Sequence, residues 1–168
     1  MTFQSFEYAV LLLLVLCIYW LLQRRLQNLL LLGASYVFYA YVDPRMAPIL
    51  GGYTLVSYFA ARRIENNPQN SRWYLFIAAI ASLATLAFFK YADFFVDNTA
   101  DILDSIGLIS FDSTLQIILP IGISFYTFQS LGYVIDVYMK RTHARRDFLD
   151  TALFIGFFPQ LVAGPIER

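Results

Sequence analysis

The chain has 168 residues, of which 59% are hydrophobic and 14% charged, and its mean hydropathy is +0.59. Average globular chains are roughly 45–50% apolar and about 25% charged, so this composition excludes an ordinary water-soluble domain and points to an integral membrane protein. The 12 Lys and Arg balance the 12 Asp and Glu, and the one cysteine, Cys17, excludes a disulfide framework or a thiolate metal site.

Six apolar segments follow one another. Phe6–Leu22 is nearly unbroken, and Leu26–Val42 comes next. The first lacks a basic leader and a small-residue cleavage site, so it reads as a retained helix rather than a signal peptide. Cys17 lies within it as a small lipid-facing or packing residue. Met46–Ala61 is the third segment and Trp73–Phe89 the fourth. Leu115–Met139 is longer and carries Pro120, Gly122 and Asp136; Phe148–Ile166 is the last. Each is close to the roughly 17–25 residues that a helix needs to cross a bilayer. The fold class is therefore all-α and membrane-integral, with about six transmembrane helices. Between the fourth and fifth segments, Asp93, Asp97, Asp101 and Asp104 recur every three or four residues among Phe94, Val96, Ile102 and Ile106. This pattern predicts an outer interfacial helix with an acidic stripe toward water. Trp20, Tyr39, Tyr41, Trp73 and Tyr91 fall near segment ends, as an aromatic belt requires.

The basic residues alternate between loops. Arg24 and Arg25 follow segment one, Arg62, Arg63 and Arg72 follow segment three, and Lys140, Arg141, Arg145 and Arg146 follow segment five. Basic loops are retained in the cytoplasm. The map therefore puts the N-terminus outside, Asn67 in the cytoplasm and Asn98 outside.

No nucleic-acid, P-loop, dinucleotide or zinc signature is present. His143, the single histidine, sits in the basic loop KRTHARRD without a second catalytic group at a useful spacing, and reads as a solvated loop residue. Segment five is more informative. Gly122, Tyr126, Gln129, Tyr133, Asp136 and Lys140 recur at three- and four-residue spacings, which aligns polar groups along one helical face. Such groups inside a bilayer face a bundle interior or a water-filled cavity. For Asp136 the alternative is a simple ion pair with Lys140 one turn on. Pro120 and Gly122 imply an irregular start to this helix. Pro159, Gly164 and Pro165 interrupt segment six, with Gln160 beside the first.

LPIGISFYTFQSLGYVIDVY (Leu119–Tyr138), the basic loop after it and FFPQLVAGPIER (Phe157–Arg168) resemble the membrane-bound O-acyltransferase family. LLLLGASYVFYAYVDPR (Leu29–Arg45) resembles an early segment of the bacterial branch typified by the alginate O-acetyltransferase membrane subunit. The resemblance implies a larger ring of helices around a funnel, with Tyr126, Gln129, Tyr133, Asp136 and Gln160 lining it. Members of the branch often carry a histidine where Gln160 stands. It also implies that residues 1–168 form the N-terminal portion of the acyltransferase domain, and that the catalytic histidine lies in helices absent from this chain. On this expectation the chain alone is inactive. No resident cofactor is implied; the donor is an acyl carrier such as acetyl-CoA. The implied partners are membrane lipid, the missing C-terminal helices, a periplasmic acetyltransferase and an exported polysaccharide such as alginate. Two other readings fit the broken, polar-faced spans: an oligomeric small transporter or channel subunit, and a membrane scaffold that docks a periplasmic partner through the acidic helix.

Overall fold

A computed structural model describes residues 6–42, 44, 47–105 and 122–163. Seven α-helices run in order: α1 (Phe6–Tyr19), α2 (Arg24–Val42), α3 (Ala47–Asn66), α4 (Ser71–Ser105), α5 (Ile123–Tyr138), α6 (Phe148–Gly156) and α7 (Phe158–Ala163). No strand occurs among the described residues, as the all-α reading expects.

The helix ends follow from local chemistry. Gln27 Nε2 donates to the Tyr19 carbonyl and closes the end of α1. Asn67 precedes Pro68 and leaves the helical region (φ −131°), so α3 stops before a single 3-10 turn, Pro68–Asn70. Asp147 caps α6 by accepting from the Leu149 N–H at 3.0 Å. The end of α5 is a Schellman closure. The Arg141 N–H donates to the Asp136 carbonyl (2.9 Å) and the Lys140 N–H to that of Val137 (3.1 Å). The residue that turns the chain there is Lys140, at φ 58°, where glycine is the usual occupant. Lys140→Gly is therefore expected to raise the stability of the full-length protein by up to about 1 kcal/mol, read as a higher midpoint in detergent thermal denaturation.

Helix α3 is the hub. It packs on α4, α5 and α6 and touches α2, which in turn carries α1, α6 and α7. One buried cluster joins Tyr39, Leu50, Tyr53, Ile123, Tyr126 and Ile155. A second joins Ala61, Ile64, Ala78, Tyr133, Val134, Val137 and Ala144. A third, Val15, Ala34, Phe38 and Phe158, seats α1 and α7 on α2. Tyr39 is thus a core residue, whereas Trp20, Tyr41, Trp73 and Tyr91 are exposed. Tyr39 and Tyr41 differ because two residues along a helix turn the side chain by about 200°.

The exterior is apolar. Leu13, Leu14, Val37, Phe59, Phe76, Phe88 and Phe128 are among many large hydrophobic side chains that point outward, and Cys17 is exposed with them. One segment among the described residues, Pro68–Tyr91, is long and apolar enough to cross a membrane, and only 11% of its apolar window is buried. A core helix of a soluble protein would bury most of that surface. The other helices carry charges at their ends or are short. Arg24 and Arg25 open α2, Arg62, Arg63 and Glu65 close α3, and α6 has 9 residues.

The acidic stretch departs from expectation. Rather than a separate interfacial helix, the backbone of residues 93–104 continues α4, which reaches 35 residues without a break. The physical reason is in the sequence: no glycine or proline stands between Ser71 and Ser105, so nothing stops propagation. At 1.5 Å per residue such a helix is about 52 Å long, well beyond a hydrocarbon core of about 30 Å. Pro120, Gly164 and Pro165 lie outside the described residues.

Candidate functional site

The polar groups expected on α5 each have a definite setting. Gly122 begins the helix at φ 77°, the left-handed region, so the expected irregular start is present at this residue. Tyr126 is fully buried; its ring sits edge-on to Tyr53 at 4.9 Å and to Tyr39 at 6.2 Å. Its buried hydroxyl has no hydrogen-bond partner among the described residues. Tyr53 anchors the other side of this cluster by donating to the Ser82 carbonyl of α4 at 2.8 Å. Tyr133 is buried and accepts from the Arg145 N–H at 2.9 Å, which ties α5 to the loop before α6.

Asp136 is half-buried and pairs with Arg141 at 3.6 Å, not with Lys140. The correction follows from the helix end: Lys140 lies beyond Tyr138 in a left-handed turn, so no i,i+4 geometry exists for it. Arg141 is exposed and Asp136 about half so, and a pair of this kind contributes roughly 0–1 kcal/mol. His143 is solvent-exposed and bonds Glu65 through Nδ1 at 2.9 Å, as a loop residue rather than a site residue.

The centre of the arrangement is the break between α6 and α7. In a continuous helix the Phe158 N–H would donate to the Phe154 carbonyl. Here the chain turns extended at Phe157 (ψ 113°), and that bond is absent. Each half finds a side chain from another helix. The Phe158 N–H donates to Ser35 Oγ of α2 at 3.2 Å. Gln129 Nε2 of α5 donates to the Phe154 carbonyl at 2.6 Å. Ser35 is fully buried and donates its own O–H to the Leu31 carbonyl at 2.7 Å, so it both donates and accepts. Pro159 sits in the first turn of α7, where a missing N–H costs nothing. A buried helix break away from water requires such substitutes, since each orphaned backbone group is costly.

Two further polar links hold the broken helix in place. Asn28 Nδ2 of α2 donates to Asp150 Oδ1 of α6 at 3.2 Å. Gly156 lets α6 approach α3, since a Cβ there would lie 3.3 Å from Leu50 Cδ2. Gln160 is half-buried on α7, which packs against α2; among the described residues no side-chain hydrogen bond joins it to the α5 groups.

Sequence reasoning found Gln129 and the proline-marked break but missed Ser35. A lone serine in LLGASYVF carries no local signal of its partner, which is 123 positions away. The available hint is general: buried Ser and Thr at helix contacts are common where helices pack inside a bilayer. Thr54, Ser57, Thr127, Ser130 and Thr151 belong to the same class and are all buried.

The described residues thus form a helical bundle with an apolar exterior, one helix long and apolar enough to cross a membrane, and a broken helix whose backbone is satisfied by side chains of other helices. Comparison with known proteins makes this particular. The chain is 43% identical over 155 residues to the probable alginate O-acetylase AlgI of Pseudomonas aeruginosa, covering 90% of this chain and 29% of that protein. It is 42% identical over 158 residues to the probable alginate O-acetylase AlgI of Azotobacter vinelandii, covering 92% and 32%. It is 35% identical over 181 residues to the peptidoglycan O-acetyltransferase of Helicobacter pylori, covering 88% and 33%. No family profile matches the chain, and no solved structure matches it. Over about nine-tenths of its own length the chain is similar to alginate O-acetylases and to a peptidoglycan O-acetyltransferase, and it spans about a third of the length of these curated relatives.

Proposed function

We propose that the chain forms the early helices of a membrane-bound O-acetyltransferase that modifies an exported polysaccharide. The observation that carries this is the 42–43% identity to alginate O-acetylases across about nine-tenths of the chain. The break between α6 and α7 supports it, because irregular backbone inside a bundle marks an internal cavity or pathway.

In this reading about six helices cross the inner membrane, with the basic loops in the cytoplasm and the N-terminus outside. Tyr126, Gln129, Tyr133, Asp136 and Gln160 border the funnel, and none of them acts as the base. Gln129 and Ser35 are positioning residues: they hold the α6–α7 break open at a fixed angle. The chemical step falls to a histidine on helices beyond this chain, with an acyl donor such as acetyl-CoA. A periplasmic acetyltransferase would pass the acetyl group on to the polysaccharide.

The test is genetic and chemical. With the gene deleted in its host, base-labile acetate is measured in the exported polysaccharide and in peptidoglycan. Loss from one fraction, restored by the full-length gene, supports the reading and identifies the acceptor. Unchanged acetate in both sinks it.

A further inference from the structure

The helix ends gather positive charge at one end of the bundle. Asn28 meets Asp150, Tyr58 meets Arg146 and Glu65 meets His143, so the start of α2, the end of α3 and the α5–α6 loop share that end. Between the last two lies a cavity of about 400 Å³ lined by Arg62, Glu65, Asn66, His143, Ala144 and Arg146.

Of its two arginines, Arg62 has its side chain held in place. Arg62 Nη1 donates to the Tyr58 hydroxyl at 3.0 Å, and the guanidinium lies 5.7 Å from the Tyr58 ring centre. The same hydroxyl donates to the Arg146 carbonyl at 2.9 Å, which fixes the loop against α3. Nearby carboxylates are committed elsewhere. Glu65 bonds His143, Asp147 caps α6 and Asp150 accepts from Asn28. Among the described residues the ion pairs are Arg141–Asp136 and His143–Glu65, so neither Arg62 nor Arg146 has an acidic partner. The neighbouring surface is apolar. Phe148 packs on Tyr58 at 5.4 Å, and Phe148 and Phe59 both face outward.

A cavity lined by two arginines without an acidic partner, with outward-facing aromatic rings nearby, suits an anion that carries a hydrocarbon tail. Guanidinium groups bind phosphate oxygens bidentately, and basic pockets between helices at a membrane surface hold phospholipid headgroups. We propose that Arg62 and Arg146 bind the phosphate of an anionic membrane phospholipid. The inference rests on the membrane placement proposed above and is independent of acyl transfer.

The experiment uses full-length protein in detergent, titrated with phosphatidylglycerol or phosphatidylcholine and read by native mass spectrometry. Phosphatidylglycerol is expected to be retained over phosphatidylcholine, and Arg146→Gln to weaken that retention about 10-fold, in line with the loss of one charged hydrogen-bond pair. Arg146 is the cleaner variant, since its side chain makes no bond within the described residues; Arg62→Gln is the second. Removing two charges outside the cavity, in Arg24→Gln/Arg25→Gln, is expected to leave retention unchanged. Equal retention of the two lipids, or equal loss in the Arg24/Arg25 variant, overturns the site in favour of diffuse charge. Displacement of the lipid by inorganic phosphate at equal concentration overturns the lipid assignment in favour of a free-phosphate site. Acetylation assays are not involved, so failure here leaves the proposed reaction standing.

Discussion

Gln129→Leu is expected to destabilise the full-length protein by about 1–3 kcal/mol, and Ser35→Ala by a similar amount. Each removes the substitute for one half of the broken Phe158–Phe154 hydrogen bond and leaves a buried backbone group unpaired. The damage should not heal by closing the helix. With α6 continued through residue 159, the Pro159 ring would meet the Ile155 carbonyl, a clash that costs about 3 kcal/mol. The double variant is therefore expected to lose most of both contributions. Adding Pro159→Ala removes the clash and permits a continuous helix, so the triple variant should regain part of the lost stability. Thermal denaturation in detergent measures all four proteins. A triple variant no more stable than the double would mean that packing around Phe157, rather than proline, imposes the break. Activity separates the roles further: on the proposed function, the triple variant regains stability but not acetyl transfer, because the angle between α6 and α7 is lost.

How much of this was legible beforehand differs by element. The periodic polar residues of α5 were visible at Tyr126, Gln129 and Tyr133, because helical spacing shows which residues share a face. What each would touch was not visible. Gln129 serves a carbonyl 25 positions on, and Ser35 an N–H 123 positions on; no local pattern encodes such distances. The break in segment six was marked by Pro159, while its position two residues earlier is set by where Ser35 stands to receive Phe158. At α4, hydropathy suggested a span followed by a surface helix. The chain carries no breaker there, so backbone propensity outweighed the change in composition. Asp136 shows the reverse: an i,i+4 rule applied across a helix end names the wrong partner, because the helix ends two residues later and Lys140 lies beyond it.

The tight contact between α6 and α3 yields the other large expected effect. Leu50 is fully buried in the cluster that holds Tyr39, Tyr53 and Tyr126, and Leu50→Ala should cost about 2–5 kcal/mol through lost packing and the residual cavity. Gly156 lies directly against it. A Cβ at Gly156 would sit 3.3 Å from Leu50 Cδ2 and 3.8 Å from Cγ, so Gly156→Val drives α6 away from α3 or turns Leu50 aside, at roughly 1–3 kcal/mol. The two defects are opposite in sign of volume and share one space. Leu50→Ala/Gly156→Val is therefore expected to be more stable than the sum of the single effects allows, with a coupling of about 0.5–3 kcal/mol. A double-mutant cycle by thermal denaturation of the full-length protein reads this directly. Strict additivity would mean that the helices do not meet at this pair.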